Sequence, residues 1–306
     1  MDGFKVFNGK LLDGNSNDFQ LRGVNEAHAW YTDRTQKALA DIAAKQANCV
    51  RVVLTTGDQW AKTPAADVAQ IIQWCKDNKM IAILEVHDCT GYGDASAAPL
   101  AAPLSKAADY WISIASTLEG QENYVIVNLA NEPIGNHAVA VASWVQNTSD
   151  AIKRMRAAGL THTILIDAPN WGQDWSKTML NRATEVWAAD NLRNLVFSIH
   201  MYAAYKTYAD VDTYISSFLA KGLPLVVGEF ADSDGDGTAV AAADIMERCE
   251  HYQIGYMGWS WCGNSSSSID LVVHWDPHQQ STWGNLLFDS AHGIRATAKT
   301  CTVFNG

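Results

Sequence analysis

The sequence predicts an α/β fold, a single-domain (β/α)8 barrel of the TIM-barrel type spanning residues 1–306, and three observations carry that prediction. Eight short apolar runs rich in β-branched residues recur along the chain, segments of helical period separate them, and no linker or charge block interrupts the alternation. Near-continuous apolar strands imply a parallel sheet covered by helices on its outer face. Eight such units close into a barrel better than they form an open sheet.

The chain opens on FKVFNGKLLDGNS, whose Asn-Gly and Asp-Gly pairs are hairpin-turn signals; this segment is expected to plug the bottom of the barrel. LRGVN (21–25) is the first strand, and TQKALADIAAKQ follows it with apolar residues three and four apart. CVRVVL (49–54) is the second, followed by the helical AADVAQIIQWCKDNK. MIAILEVHD (80–88) and YVIVNLANEP (124–133) are the third and fourth, and WVQNTSDAIKRMRAAG is the next helix. HTILIDA (162–168), LVFSIHMY (195–202) and PLVVGEF (224–230) continue the series. AVAAADIMERCEHYQ then precedes the last strand, YMGWSWCG (256–263).

Composition narrows the function. A hydrophobic content of 48% permits a large core, and barrels of this length are commonly one domain. The net charge of -11, from 22 basic and 33 acidic residues, argues against nucleic acid, whose phosphates need clustered Lys and Arg. No apolar run approaches the ~18 residues of a membrane span. The start, MDGFKVFNG, has neither the basic nor the apolar region of a signal peptide, as expected of a cytosolic chain or a processed secreted one. Six cysteines without a C-x2-C pair fit no common zinc pattern and leave disulfides and buried thiols equally open. Twelve Trp residues matter more, because indole faces stack on sugars as readily as they fill cores.

In such barrels the chemistry lies at the C-terminal ends of the strands. Those ends deliver Asn25, Arg51, His87, Asp88, Asn131, Glu132, Asp167, His200, Tyr202, Glu229, Trp259 and Trp261. Polar groups converging on one mouth are themselves a functional signal, since buried charge is costly unless paired. Glu132 and Glu229 end the fourth and seventh strands, on roughly opposite sides of the mouth. Two facing carboxyls suit glycosidic cleavage: one protonates the leaving oxygen, and the other, ionised, attacks the anomeric carbon. Arg51 and the Tyr202 hydroxyl are placed to keep Glu229 ionised, and His200 to poise the proton of Glu132. Residues two apart on a strand share a face, which aligns His200 with Tyr202 and Trp259 with Trp261.

The strings NLANEP, FSIHMY, LVVGEF and GWSW, with RVVL and LEVHD upstream, resemble glycoside hydrolase family 5 of clan A over essentially the whole chain. VNEAHAWY, DAPNWGQDW and NEPIGN are similar, more narrowly, to its bacterial endo-β-1,4-mannanase subfamily. The resemblance implies a retaining hydrolase of β-mannan, galactomannan or glucomannan, with Glu132 as acid/base and Glu229 as nucleophile. It further implies a supporting shell of Arg51, His87, Asn131, His200, Tyr202 and Trp259, and sugar stacking on Trp30, Trp171 and Trp175. A secreted monomer without cofactor or metal is expected. Glu26 stands where the subfamily has His and Ile134 where it has an aromatic, and both departures are expected to bear on sugar binding. A β-1,4-glucanase on the same scaffold is the nearest alternative, and a non-catalytic carbohydrate-binding barrel the more distant one.

Plainer roles suit other residues. Glu85 is expected to be a structural carboxylate, and Asp88 and Asp167 loop caps or network members. DSDGDG (232–237) has the EF-hand spacing at its start, but Ala243 stands where the twelfth-position acid belongs, so it reads as a flexible loop capping the seventh helix. HWDPH (274–278) is no helical metal pair, because Pro277 breaks the helix. Trp60, Trp74, Trp111, Trp144 and Trp187 are expected to serve packing, whereas Trp275 and Trp283 are candidates for the cleft wall.

Overall fold

Residues 3–305 are described in the computed structural model. Its strands β1 (Arg22–Glu26), β2 (Cys49–Leu54), β3 (Ile81–Val86), β4 (Val125–Asn128), β5 (Ile164–Asp167), β6 (Leu195–Met201), β7 (Leu225–Phe230) and β8 (Gly255–Gly258) close into one parallel barrel. Neighbours in sequence are neighbours in the ring, and the pairing of β8 with β1 shuts it. Around it pack α1 (Thr35–Ala44), α2 (Ala65–Asp77), α3 (Leu104–Ser113), α4 (Trp144–Ala157), α5 (Thr178–Ala189), α6 (Tyr208–Leu219), α7 (Ala242–His251) and α8 (Thr282–Asp289).

Because side chains alternate along a strand, each strand serves two cores. Val50, Val52, Leu84, Val127, Ile166 and Val227 point outward and meet Leu39, Ile71, Ile152 and Ile215 on the inner faces of the helices. Cys49, Ile83, Ile126, Leu165, Val196 and Met257 belong to a separate interior cluster. Two residues further along, the interior series turns polar: Arg51 after Cys49, Glu85 after Ile83, Asn128 after Ile126, Asp167 after Leu165. The lower barrel is therefore sealed by hydrocarbon and the upper barrel by a polar network.

Below, Phe4, Phe19, Leu21 and Cys301 join the interior cluster, with Phe4 and Phe19 rings 5.5 Å apart. Strands Lys5–Phe7 and Lys10–Leu12 pair antiparallel beside them. All six cysteines are buried free thiols, which answers the question the spacing left open.

The strand ladders stop earlier than the apolar runs. β3 ends at Val86, β4 at Asn128 and β8 at Gly258, while the runs continue into the mouth. Beyond those points the backbone still bonds to its neighbours, as in Asn131 N–H to Val86 C=O at 2.9 Å, but without regular alternation. That corrects the expected alignment of Trp259 with Trp261. Trp259 lines the mouth, whereas Trp261 is 1% exposed and packs against Phe288 in the outer core.

Candidate active site

Arg51, wholly buried on β2, organises the mouth because each of its N–H donors finds an acceptor there. Nε donates to Asn128 Oδ1 at 2.7 Å; Nη1 donates to Asn25 Oδ1 at 2.9 Å and Glu229 Oε1 at 2.6 Å. Nη2 donates to Asn131 Oδ1 at 2.7 Å and Asp167 Oδ2 at 3.3 Å. Burial works against the cation, but the charges of Glu85, Glu229 and Asp167 outweigh it and raise the guanidinium pKa. The planar fork thus ties β1, β2, β4, β5 and β7 into one frame.

Glu229, at the end of β7, accepts from Arg51 through Oε1 and from the Tyr202 hydroxyl through Oε2 at 3.0 Å. Burial, followed by the charges of Glu229 and Glu132, keeps that phenol protonated far above its ordinary range. Glu132 follows β4 in a left-handed conformation, φ 37°, with its amide donating to Asp167 Oδ2 at 3.1 Å. The backbone there is anchored to a neighbouring strand, which fixes a geometry that a non-glycine residue seldom adopts.

His200 stands between the two glutamates. Its Nδ1 is 2.8 Å from Glu132 Oε1 and 3.5 Å from Glu229 Oε2. Nε2 lies 3.2 Å from Asp167 Oδ2, close enough for ion pairing although too bent for a directed hydrogen bond. Burial opposes its charge, yet Glu229 and Asp167 prevail and lift the imidazolium pKa to about 10. Asp167 moves the other way: its burial is overcome by His200 and Arg51, and its pKa falls to about 2. Gly172 makes room for the ring, since a Cβ there would sit 2.6 Å from His200 Cγ.

For Glu132, burial is the largest influence and raises the pKa; His200 pulls it down, the Glu229 charge pushes it up, and the balance is upward. Glu132, His200 and Glu229 present ligand-type atoms all within 4.8 Å of one another. A metal there needs a neutral imidazole, and the surrounding carboxylates hold His200 protonated. With His200 charged between two carboxyls, the arrangement suits proton handling.

A cavity of about 400 Å³ opens above this frame, lined by Asn131, Glu132, Tyr202, Glu229 and Trp259. A second, of about 320 Å³, continues from it past Trp30, Trp60 and Leu100, sharing His87 and Trp171. The Trp30 ring lies edge-on to Trp60 at 5.4 Å and to His87 at 5.2 Å. Together the two cavities form an open, aromatic-walled groove across the strand ends.

Arg51, His87, Asn131, Glu132, His200, Tyr202, Glu229, Trp259, Trp30 and Trp171 are thus brought together. Trp175 is not among the residues lining the two cavities, although it is 47% exposed. Trp283 is buried, donating to the Trp259 carbonyl at 2.8 Å, and Trp275 lines a different cavity beside α1. Neither of these two candidates lines the groove. Trp60, expected to serve only packing, does line the groove.

Glu85 holds His87 Nδ1 at 2.9 Å, and Asp88 caps the loop amides of Thr56 and Gln59. Asp234 and Asp236 face the first cavity, with Asp234 bonding the amides of Asp236 and Thr238 within its own loop. No side-chain hydrogen bond from that loop caps α7, contrary to the expectation. The side chains of Glu26 and Ile134 are buried at 0% and 1% exposure, and neither lines either cavity.

Residues 12–265 match the family model described as Cellulase (glycosyl hydrolase family 5). The chain is 49% identical to a mannan endo-1,4-beta-mannosidase of Cellvibrio japonicus, over 99% of its own length and 70% of the relative's. It is 48% identical to the enzyme of that name from Streptomyces lividans, over 99% and 78% respectively. The crystal structure of a Streptomyces thermolilacinus beta-mannanase with mannohexaose superposes with a TM-score of 0.96 at 47% identity, covering 100% of this chain and 99% of that one. With the barrel, the paired glutamates and these similarities in hand, the chain belongs to glycosyl hydrolase family 5.

Proposed function

We propose that this barrel is a retaining endo-β-1,4-mannanase, with Glu229 as nucleophile and Glu132 as general acid and base. The observation that carries the mechanism is the pair itself: ligand-type oxygens of the two glutamates lie within 4.8 Å, on either side of one imidazole. Retaining enzymes hold their carboxyls ~5–5.5 Å apart, whereas inverting ones leave room for a water.

In the first step a Glu229 oxygen bonds the anomeric carbon while the glycosidic bond breaks and the Glu132 proton passes to the leaving oxygen. Arg51 and Tyr202 orient the attacking carboxylate. Forming the ester removes the negative charge of Glu229, one of the influences that keep Glu132 protonated. Glu132 then becomes the stronger acid and serves as base, taking a proton from the water that attacks the same carbon and frees Glu229.

Endo action is supported by a groove that runs across the strand ends instead of closing into a pit. Mannan is supported by the relatives, nearly half identical over almost the whole chain and named for mannan. Secretion is part of the reading, because a polymer of this size is met outside the cell. Reducing-sugar release from galactomannan and carboxymethyl cellulose, with Glu229→Ala as blank, tests the whole reading. Strong release from galactomannan alone is expected, with Glu132→Gln slower by about 100-fold or more. Wild-type turnover in Glu132→Gln would refute the acid/base role, and release chiefly from the cellulose derivative would refute the substrate.

A further inference from the structure

We propose that Asp94 is a positioning residue for substrate binding: it locks the indole of Trp171 as a sugar platform in register with Glu132. The proposal rests on the glycosidase reading above. Asp94 lies in the loop after β3, and its Oδ2 accepts the Trp171 Nε1–H at 2.9 Å and the Asn136 amide at 3.0 Å. One carboxylate oxygen therefore joins the loops that follow β3, β4 and β5. Gly135 makes this approach possible, since a Cβ there would stand 2.7 Å from Asp94 Cβ.

The six-membered ring of Trp171 lies directly on Gly91, where a Cβ would come within 2.3 Å of it. Gly91 in turn donates its amide to the Glu132 carbonyl at 2.9 Å, and the Trp171 amide donates to the Ile134 carbonyl at 3.0 Å. The ring thus rests on the turn that also holds the backbone of the acid/base candidate. Trp171 has φ 54°, after Asn170 at φ 58°, an uncommon backbone for a bulky residue. Its ring lines both cavities of the groove and stands at their junction.

Backbone and glycine contacts fix the height of the ring, but its rotation on Gly91 is controlled by the one hydrogen bond from its N–H. An indole that turns freely offers a sugar the same area at a greater ordering cost. The bonds from Asn136 and then Trp171 hold the Asp94 carboxyl below its ordinary range, which favours the ionised acceptor. A platform that binds ground state and transition state alike affects KM and leaves kcat nearly unchanged.

The test is steady-state kinetics of wild type, Asp94→Ala, Asp94→Asn, Trp171→Phe and the double variant Asp94→Ala/Trp171→Phe, on whichever polymer the wild type cleaves. Asp94→Ala is expected to raise KM about three- to tenfold, the worth of one hydrogen bond, with kcat within about twofold. Asp94→Asn, which keeps an acceptor oxygen, should recover part of that loss. In KM the double variant should be no worse than Trp171→Phe alone, because without the indole N–H the carboxylate keeps only the Asn136 amide and no longer reaches the ring.

An unchanged KM in Asp94→Ala overturns the proposal, as does a double variant whose defects multiply. If Asp94→Ala does not fold, Asp94→Asn decides: a fall in kcat at wild-type KM overturns the proposal equally. A wild type inert on every β-linked mannan and glucan sinks the glycosidase reading and the platform together, whereas an unchanged KM in an active enzyme sinks the platform alone.

Discussion

At the scale of single residues, the charge relation between the glutamates is directly measurable. Burial and the Glu229 charge both raise the Glu132 pKa, against the pull of His200. Replacing Glu229 with Gln removes one of the upward influences and leaves the downward one, so Glu132 should titrate lower in that variant. Carbon-13 NMR of labelled glutamate reads this directly, and a Glu132 pKa unchanged or raised in Glu229→Gln would show that the carboxyls do not sense each other. In the wild type, activity should fall on the alkaline side as Glu132 loses its proton, at a pH above the ordinary Glu value of 4.5. The pair was readable because its chemistry needs particular residue types in short strings after strands. Asp167 was readable only as a loop cap or network member without named partners, because Arg51, Glu132 and His200 come from three other strands and only the closed barrel gathers them. Trp60 was missed for the same reason, since its neighbour Trp30 is far away in sequence.

At the scale of elements, periodicity identified the strands and the helices α1, α2, α4 and α7, misplaced their ends, and passed over the amphipathic Leu104–Ser113. The run 256–263 keeps its apolar character past Gly258, where ladder pairing stops, so composition alone does not mark the boundary. The antiparallel pair Val272–Val273 and Asp276–Gln280 went unseen because His274 and Trp275 take its turn at φ 51° and 63°, without the Asn-Gly signal such turns usually carry. The floor of the barrel is an element whose role can be separated from catalysis. Phe4 is 1% exposed in the interior cluster, at the opposite end from the glutamates. Phe4→Ala should cost about 3–5 kcal/mol of stability by leaving a cavity under the strands. Below its melting temperature the variant should keep wild-type kcat and KM. A loss of turnover in the folded variant would mean that the floor and mouth are coupled.

At the scale of the whole molecule, stability should carry the titration of one buried group outside the active site. Glu26 points from β1 into the outer core, fully buried, and neither carboxyl oxygen has a hydrogen-bond partner among the described residues. Burial alone raises its pKa from 4.5 to about 8. In the unfolded chain the carboxyl ionises near 4.5, whereas in the folded barrel it stays protonated until about 8. Between those values the folded state binds the extra proton, so raising the pH favours unfolding progressively, on the order of 3–5 kcal/mol over the window. Below the window both states are protonated and the penalty vanishes; above it both are ionised and the penalty stays constant. Glu26→Gln removes the titration and keeps the shape, although the buried amide carries its own pH-independent cost. The melting temperature of Glu26→Gln minus that of wild type should therefore rise by several degrees between pH 5 and pH 8, whatever its value at pH 5. Subtracting the two proteins cancels the titration of Glu132 and His200, which they share. A difference that stays flat across the window would mean that Glu26 is ionised in the folded barrel and has found a partner there.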